Sequence, residues 1–434
     1  MRLLLFLVVL FASRSYAQDT YFPPVTGDEW DTLPVNELNW CPDQIDSLYT
    51  FLEEYNTRAF IILKDGKIVL ERYFDSFTQD SIWYWASAGK TLTAFTVGLA
   101  QEQGYLRIDD PSRLYLGEGW TSLTPEQEEA ITIRHQLTMT TGLDDNPLQL
   151  NCTLPSCLTY RTDPGTRWAY HNAPYTLLRE VVEQATGLDY NAYFAQEVRN
   201  RIGMSGAWIR NGFNNVYFSD ARSMARYGLL ALHQGVWDGD TIMHDQHYFE
   251  QMVTPSQDLN QSYGYLWWLN GQASHRLPRV QVEFTGPLIP SAPQDLIAGL
   301  GKNDQKLYVI PSENMVVVRM GEASGVSLFA ASPFDELLWA RLSDLTCTTT
   351  SVTAAKDVDH QVAVFPNPVG DQLHLTWSDT WYPSDYQLLN NLGQVVQAGR
   401  ADATINVEQQ TPGVYLLRLT GVDGIHLVRR IIIR

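Results

Sequence analysis

A change of pattern after Cys347 divides this chain into two parts that cannot share one architecture. Before it, stretches with the helical spacing of apolar residues alternate with strand-like stretches, whereas only strand-like alternation follows it. The junction from Thr346 to Ala355 is a polar tract with one large aliphatic residue, which is typical of a linker. At roughly 150 residues per domain, a chain of 434 residues has room for two or three domains.

The excess of acidic residues limits the possible partners. The chain has 49 Asp and Glu residues against 30 Lys and Arg residues, which gives a formal net charge of -19. Such a surface repels phosphate backbones and anionic lipid headgroups, so nucleic-acid and membrane-surface binding are disfavoured. A hydrophobic content of 44% is sufficient for a packed core and excludes a disordered chain.

The N-terminus has the layout of a secretory signal peptide. Arg2 precedes an apolar run from Leu3 to Ala12, and Ser15-Tyr16-Ala17 supplies the small residues of a cleavage site. A bilayer span needs about 20 apolar residues, and neither this run nor any later one is long enough. We therefore expect residues 1–17 to be a signal peptide, a secreted chain beginning near Gln18 and no transmembrane segment. A buried N-terminal strand or helix is the alternative.

The four cysteines fit an oxidising compartment. Cys152 and Cys157 are close enough to close a loop that contains Pro155, and Cys41 and Cys347 would then join the ends of the larger part. Four cysteines allow three pairings, so this pairing is a preference, with free buried thiols as the alternative. The cysteine spacings do not resemble a zinc site, and we expect no metal and no cofactor.

The larger part predicts an α+β domain with a largely antiparallel sheet flanked by helices. Asp65-Gly66 predicts a tight turn between two strands, and Asn172 is the predicted N-cap of a helix that ends at Gly187. The predicted elements in order are the strands 59–63 and 67–70, the helix from Ala88 to Gly104, the helix from Asn172, the strands 306–310 and 315–318, and the helix 334–345.

The smaller part predicts a small all-β, Ig-like sandwich, because short strands with alternating apolar residues follow one another at turn-length intervals. Asn391-Leu392-Gly393 and Pro412-Gly413 supply two of the turns. The candidate strands are 373–377, 386–389, 395–398, 414–419 and 427–433.

The clearest chemical motif is Ser87-Ala88-Gly89-Lys90 at the start of the first long helix. Serine and lysine three residues apart share a helix face, and a helix N-terminus stabilises a developing oxyanion. Lysine has a usual pKa of roughly 10.4, but desolvation could lower this pKa enough for the lysine to activate the serine. A helix cap followed by an exposed lysine is the alternative, and Trp83-Tyr84-Trp85 upstream favours a buried, aromatic-lined site.

Two further motifs carry candidate site residues. Tyr170 could exchange protons with Lys90, and the Asn172 amide could hold a substrate carbonyl, whereas a packed aromatic residue and a helix cap are the structural alternative. Gly299 and Gly301 precede a predicted strand, where glycines let a substrate backbone approach and leave N–H donors open. A simple turn is the alternative for the two glycines.

Taken jointly, these motifs resemble the β-lactamase-related serine hydrolase superfamily, which includes penicillin-binding proteins. The resemblance is greatest to its class C-like branch of esterases, D-aminopeptidases and carboxypeptidase-like enzymes. It extends to Ile131–Leu143, Asp163–Ala173 and Ser262–Trp268 and spans about residues 40–345. The resemblance implies a β-lactamase/transpeptidase-like domain over residues 18–345.

This resemblance implies a role for each candidate residue. Ser87 is similar to the acyl-forming nucleophile, Lys90 to its base partner and Tyr170 to the second proton-transfer group. Asn172 is similar to the amide that positions the substrate. The oxyanion hole would consist of the Ser87 N–H group and another near Gly301.

The third motif departs from the family pattern. Gly299-Leu300-Gly301 occupies the position where the family has Lys or His followed by Thr-Gly. The cation that would meet a substrate carboxylate is missing, and the adjacent Lys302 is expected to point elsewhere. This departure favours ester or amide substrates over β-lactams and D-Ala-D-Ala peptides.

Short motifs recur along the tail at Val364–Val369, Leu373–Leu375, Leu388–Val396, Pro412–Leu416 and Val428–Ile431. Together they resemble the type IX secretion C-terminal sorting domain. That resemblance implies a sorting domain at 359–434 after a linker at 346–358, with the secretion machinery of a Gram-negative cell as its partner and release or attachment at the cell surface. A carbohydrate-binding or adhesive sandwich is the alternative.

The sequence therefore predicts a secreted serine hydrolase that cleaves a small-molecule or peptide-like ester or amide through an acyl-enzyme on Ser87. One alternative is a D,D-peptidase or β-lactamase acting on peptidoglycan-like or β-lactam substrates. The other is a catalytically silent binding protein of the same fold.

Overall fold

The computed structural model describes residues 20–146, 148–325, 331–347, 362–377, 382–390, 393–421 and 426–434. The chain forms two compact units, Met1–Cys347 and Thr348–Arg434. The predicted signal peptide, residues 1–17, and nearly all of the predicted linker lie outside the described residues. Within the described ranges, no helix combines the length and apolarity needed to cross a membrane.

The first unit mixes helices and strands throughout its length. Its α-helices are α1 (Pro42–Glu54), α2 (Lys90–Glu102), α3 (Arg113–Leu116), α4 (Pro125–Glu129), α5 (Ile133–Leu137), α6 (Asn172–Thr186), α7 (Tyr190–Phe194), α8 (Ala221–Leu232), α9 (Gln246–Met252) and α10 (Pro333–Ser343). Its strands are β1 (Thr57–Lys64), β2 (Lys67–Tyr73), β3 (Trp83–Tyr84), β4 (Ala207–Asn211), β5 (Asn214–Ser219), β6 (Val236–Trp237), β7 (Asp240–Thr241), β8 (Trp268–Leu269), β9 (Ser274–His275), β10 (Phe284–Thr285), β11 (Ile297–Gly301), β12 (Gln305–Ile310) and β13 (Met315–Gly321).

A six-stranded antiparallel sheet organises this unit, in the order β2-β1-β13-β12-β11-β8. The predicted α+β class with a largely antiparallel sheet is therefore confirmed. The hairpin of β1 and β2 also lies where it was predicted, and Asp65 and Gly66 have φ of 53° and 79°. Two successive left-handed residues match the backbone twist of the flanking strands.

Helices cover both faces of this sheet. On one face α8 lies across β12 and β13 so closely that a Cβ atom at Gly228 would be 2.5 Å from Val316 Cγ1. On the other face α1 meets α10, where the rings of Phe51 and Phe334 stack with centroids 5.7 Å apart. The sheet is therefore covered on both sides, which explains why every residue of β12 and β13 is buried and most of them are apolar.

Two helix starts differ from the prediction. The first long helix, α2, begins at Lys90, and Ala86–Gly89 before it forms a 3-10 turn that contains Ser87. The prediction that Asn172 caps α6 is wrong, because His171 occupies the N-cap position and Asn172 is the first helical residue. The Asn172 amide is engaged with other side chains instead, as described below.

The second unit is all-β, as predicted. It contains β14 (Val362–Phe365), β15 (Gln372–Trp377), β16 (Pro383–Leu389), β17 (Val395–Arg400), β18 (Thr404–Asn406), β19 (Gly413–Gly421) and β20 (His426–Ile433). The strands form two antiparallel sheets, β14-β15-β18 and β17-β16-β19-β20. Alternate residues such as Leu373, Leu417 and Ile431 form its core. The short strands β14 and β18 were not among the predicted ones.

Two disulfides join the cysteines in the pairing that the sequence favours. Cys41 is bonded to Cys347 across a sequence separation of 306 residues, and Cys152 to Cys157 across 5. The long-range bond ties together the two ends of the first unit, where the Cys41 N–H group also donates to the Leu345 carbonyl at 2.9 Å.

The two disulfides should contribute unequally to stability, because the entropy that a crosslink removes from the unfolded chain grows with the loop it closes. We expect Cys41→Ser with Cys347→Ser to lower the free energy of unfolding by about 5–6 kcal/mol and Cys152→Ser with Cys157→Ser by about 2 kcal/mol. Urea unfolding followed by tryptophan fluorescence would measure both. A larger loss from the short-range pair would contradict the expectation.

Candidate active site

The serine of the first motif lies on a turn that is held in place by hydrogen bonds of the residue before it. Ser87 belongs to the 3-10 turn Ala86–Gly89, and Ala86 has a left-handed φ of 48°. Just before it, the Trp85 N–H group donates to the Tyr217 carbonyl and the Trp85 indole to Ser219 Oγ, both at 2.8 Å. A non-glycine residue keeps such a φ only where its surroundings hold it, so the position of the Ser87 hydroxyl is set by packing.

Lys90 lies directly beside that hydroxyl. As the first residue of α2 it is only 3% exposed, and its Nζ atom is 3.0 Å from Ser87 Oγ and 2.9 Å from Asn172 Oδ1. The predicted exposed-lysine alternative is therefore wrong. The distance to Oγ is within the range over which a lysine can accept a serine proton.

The surroundings of Lys90 lower its basicity. Its amine meets an amide oxygen and two aromatic rings, with the Tyr175 ring centroid at 4.1 Å and the Tyr170 ring centroid at 5.1 Å. The rings favour the ammonium form only weakly, whereas removal from water strongly disfavours it. Burial accordingly lowers the pKa of Lys90 to about 7. A large fraction of this lysine is therefore the neutral amine at physiological pH.

Tyr170 is the second buried group at this centre. It packs among Trp168, Tyr263 and Trp268, and its ring lies 5.9 Å from that of Trp268. Burial raises the pKa of the Tyr170 hydroxyl, and a hydrogen bond with Ser87 opposes this only in part. Tyr170 is thus a protonated phenol in contact with the serine, and it can donate a proton but is not a phenolate base.

The Asn172 side chain connects the Lys90 amine with the loop that contains Asn151. Its Oδ1 atom accepts from Lys90, and its Nδ2 atom donates to Asn151 Oδ1 at 2.8 Å. Its position at the start of α6 explains this geometry, because side chains at a helix N-terminus project towards the preceding turn, here Tyr170-His171.

Both glycines of the third motif lie on β11, against the serine turn. A Cβ atom at Gly301 would be 2.5 Å from the Trp85 carbonyl oxygen and 3.1 Å from the Ala88 nitrogen, and one at Gly299 would be 3.2 Å from the Ala88 carbonyl oxygen. Within the described part of the chain, β8 pairs with β11 only at Ile297 and Ala298. The end of β11 that carries the glycines therefore lies against the serine turn, beyond its pairing with β8.

All six residues singled out from the sequence meet at this place, and the structure adds two more. Tyr175, one turn into α6, provides the ring nearest to Lys90. Its position three residues after Asn172 could have indicated that it shares a face with it. Asn151 has no comparable sequence feature, because it reaches Asn172 from a separate loop 21 residues away.

Comparison with known proteins agrees with this arrangement. A family model described as Beta-lactamase matches residues 52–336, well over half of the chain. The chain belongs to the beta-lactamase family. Members of this family are generally serine hydrolases. The matched range contains Ser87, Lys90, Tyr170 and both glycines of the third motif.

The similar proteins are distant. The 6-aminohexanoate-dimer hydrolase of Paenarthrobacter ureafaciens is 22% identical over 329 residues, which are 66% of this chain and 78% of that protein. An uncharacterized protein of Alkalihalophilus pseudofirmus is 25% identical over 306 residues, 62% of this chain and 84% of that protein. The solved penicillin-binding protein from Bacillus halodurans shares the fold with a TM-score of 0.51 at 17% identity, covering 69% of this chain and 99% of that chain.

The second unit of this beta-lactamase-family chain has its own match. A family model described as Secretion system C-terminal sorting domain covers residues 363–434. A sorting domain implies contact with the secretion machinery, so the chain is a secreted or cell-surface protein.

The close approach of β11 to the serine turn can be tested with a graded pair of substitutions. Gly301→Ala would force a Cβ atom against backbone, and we expect it to lower the free energy of unfolding by about 1–3 kcal/mol. A Cβ atom has more room at Gly299, so Gly299→Ala should lower the free energy of unfolding clearly less. This substitution is the matched control. Urea unfolding of both variants checks this, and equal losses would contradict it.

The buried amine predicts a pH-dependent stability. The pKa of Lys90 is about 7 in the folded chain and 10.5 when unperturbed, so between these values only the unfolded state carries the proton. Stability should therefore rise with pH over this window, by at most about 1.4 kcal/mol per pH unit, and the cost of burying the charge should be largest below pH 7. Lys90→Met should lack this rise, and urea unfolding of both proteins at pH 6 to 9 would measure the difference. Parallel curves would contradict a lowered pKa.

Proposed function

We propose that the chain is a secreted serine hydrolase that cleaves an ester or amide through an acyl-enzyme on Ser87. The observation that carries the proposal is the 3.0 Å contact between Ser87 Oγ and a buried lysine amine whose pKa is lowered to about 7. A serine hydroxyl needs a base to become a nucleophile, and a neutral amine within hydrogen-bond distance can act as one. The hydrolase region would comprise residues 18–345, with the sorting region at 359–434.

The first half of the reaction forms the acyl-enzyme. Lys90 takes the proton from Ser87 Oγ as this oxygen bonds to the substrate carbonyl carbon, and the carbonyl oxygen becomes an oxyanion. The Ser87 N–H group and an N–H group near Gly301 would stabilise that oxyanion, which is supported by the close packing of β11 against the serine turn.

The leaving group then departs with a proton. Tyr170 is the proposed donor, because burial keeps its hydroxyl protonated and it contacts Ser87. The proton held by Lys90 restores the tyrosine. Water next attacks the acyl carbon while Lys90 accepts its proton, and Ser87 Oγ leaves with a proton returned from the same pair. Asn172 would orient Lys90 and the substrate carbonyl.

The third motif supports an ester or amide without a carboxylate next to the scissile bond. Gly299 offers no charge there, and the two lysines that follow it are engaged elsewhere or point outwards. Lys302 is exposed, while Lys306 is buried and lies 2.8 Å from Asp335 and 3.2 Å from Asp304. A substrate carboxylate would therefore lack the charged partner that D,D-peptidase and β-lactam substrates find at this motif in related enzymes.

The central test compares the full-length chain with Ser87→Ala on a short-chain nitrophenyl ester and a chromogenic cephalosporin. We expect ester turnover in the wild type and a loss of at least about a thousandfold in the variant, because the nucleophile is gone. Intact-mass spectrometry should detect an acyl adduct only in the wild type. Equal rates for both proteins would overturn the proposal, and cephalosporin turnover dependent on Ser87 would overturn the substrate class alone.

The pH profile tests the identity of the base. Because Lys90 acts as the neutral amine, kcat/KM should rise with pH through an apparent pKa near 7 and be lost below it. Tyr170→Phe should retain this acidic limb, since the phenol is not the base. A limb that vanishes with Tyr170→Phe would assign the base role to the tyrosine instead.

A further inference from the structure

The amide of Asn172 has two sides, and each side has a different partner. Oδ1 accepts from Lys90 at 2.9 Å, and Nδ2 donates to Asn151 Oδ1 at 2.8 Å. The Lys90 amine donates this hydrogen bond, so the oxygen side of the amide faces it. On the opposite side the Nδ2 group needs an acceptor, and Asn151 Oδ1 supplies it. Both hydrogen bonds therefore favour the same orientation of the Asn172 amide.

The backbone around Asn151 is anchored at both ends. On one side the Leu150 carbonyl accepts from the Ala173 N–H group at 2.9 Å, next to Asn172 itself. On the other side the Leu158 carbonyl accepts from the Ser122 N–H group at 3.1 Å. The side chains of Leu150 and Leu158 are buried, so both ends are held by packing as well as by hydrogen bonds.

The Cys152–Cys157 disulfide closes the segment between these anchors. Cys152 follows Asn151 directly, and the Cα atoms of the two cysteines are 5.9 Å apart. The intervening residues Leu154, Pro155 and Ser156 are exposed and contribute little packing of their own. The covalent bond therefore crosslinks this exposed side of the loop at the residue next to Asn151 and adds to the anchor at Leu150.

We infer that Asn151 is a positioning residue for the Ser87–Lys90 centre and that the Cys152–Cys157 disulfide holds it in place. Asn151 touches neither Ser87 nor Lys90; it acts by directing the Asn172 oxygen towards the amine. The inference deepens the proposed function, since it takes Lys90 as the base of that reaction.

An amide suits position 151 because the proposed role of Lys90 as a base requires its neutral, unprotonated form. An aspartate could accept the same hydrogen bond, but its negative charge near the amine would favour the ammonium form. A neutral acceptor orients Asn172 without this effect. Asn151→Asp and Asn151→Ala thus separate the two requirements, because one keeps the acceptor and adds charge while the other removes the acceptor.

The first experiment measures kcat, KM and pH profiles of the full-length chain with a nitrophenyl ester. We expect Asn151→Ala to lower kcat about tenfold with little change in KM, because a misdirected amide leaves Lys90 poorly placed. Asn151→Asp should have a kcat close to that of the wild type at high pH, and the acidic limb of its pH profile should move upwards by about one pH unit. Solvent at this exposed site keeps the effect of the added charge to that size. Ser156→Ala, in the same loop, should match the wild type. Wild-type kinetics in both Asn151 variants, or equal losses without a pH shift, would overturn the inference.

A second readout does not depend on turnover. In protein labelled with ¹³C-lysine, the Cε resonance absent from Lys90→Met belongs to Lys90, and its midpoint can be followed with pH. The midpoint should be higher in Asn151→Asp than in the wild type, even if the ester proves not to be a substrate. Identical midpoints would overturn the inference. Ser87→Ala turnover equal to wild type, with the midpoint shift retained, would instead overturn only the proposed function.

The role of the disulfide is tested by non-additivity. Cys152→Ser with Cys157→Ser should lower kcat about as much as Asn151→Ala does. Adding Asn151→Ala to that pair should not lower kcat further, because both changes release the same amide. Wild-type kcat without the disulfide would contradict the second half of the inference, as would additive losses. Unfolding curves identify any variant that has lost its fold.

Discussion

The arrangement of the first unit depends on burying a lysine that has no carboxylate partner among the residues that the structure describes. Lys90 is 3% exposed, and its amine meets an amide oxygen, the Ser87 hydroxyl and two aromatic rings at close range. A charged amine is costly in such a place, so the group shifts its pKa to about 7. The tight contact of α2 with α6 and the aromatic cluster around Tyr170 serve to keep water away from this amine. The same exclusion of water raises the pKa of the Tyr170 hydroxyl.

The antiparallel sheet provides the second fixed side of the site. β11 approaches the serine turn so closely that side chains are excluded at Gly301 and nearly so at Gly299. This explains why glycine occupies the third motif even though the family cation is absent from it. The proposed oxyanion site would use this close approach of backbone to backbone, whereas the proposed substrate class follows from the missing charge at Gly299. In that proposal, mechanism and specificity depend on different residues.

Much of this could be predicted from the sequence. The hairpin at Asp65-Gly66 and the two-part division follow from local turn chemistry and residue pattern, which do not depend on distant contacts. The cysteine pairing was a preference among three, and the fold decides it by bringing Cys41 to Cys347. The six candidate residues were also found, because each lies in a motif of a few residues. The start of α6 was misassigned for an instructive reason. Asn172 is a good cap by residue type, but its amide is used by Lys90 and Asn151, and a competing tertiary hydrogen bond outweighs a local preference.

What the sequence determined by itself was the list of groups: a serine, a lysine, a phenol, an amide and two glycines, followed by an all-β tail. Whether these groups act on one another was decided only by tertiary structure. Burial sets the protonation of Lys90 and Tyr170, and burial is a property of the elements packed around them, not of the motif. The hydrogen bond between Asn151 and Asn172 could not be predicted from the sequence, because it too depends on how the elements pack. It joins a disulfide-closed loop to a helix start across 21 residues, and only the fold brings the two amides within 2.8 Å.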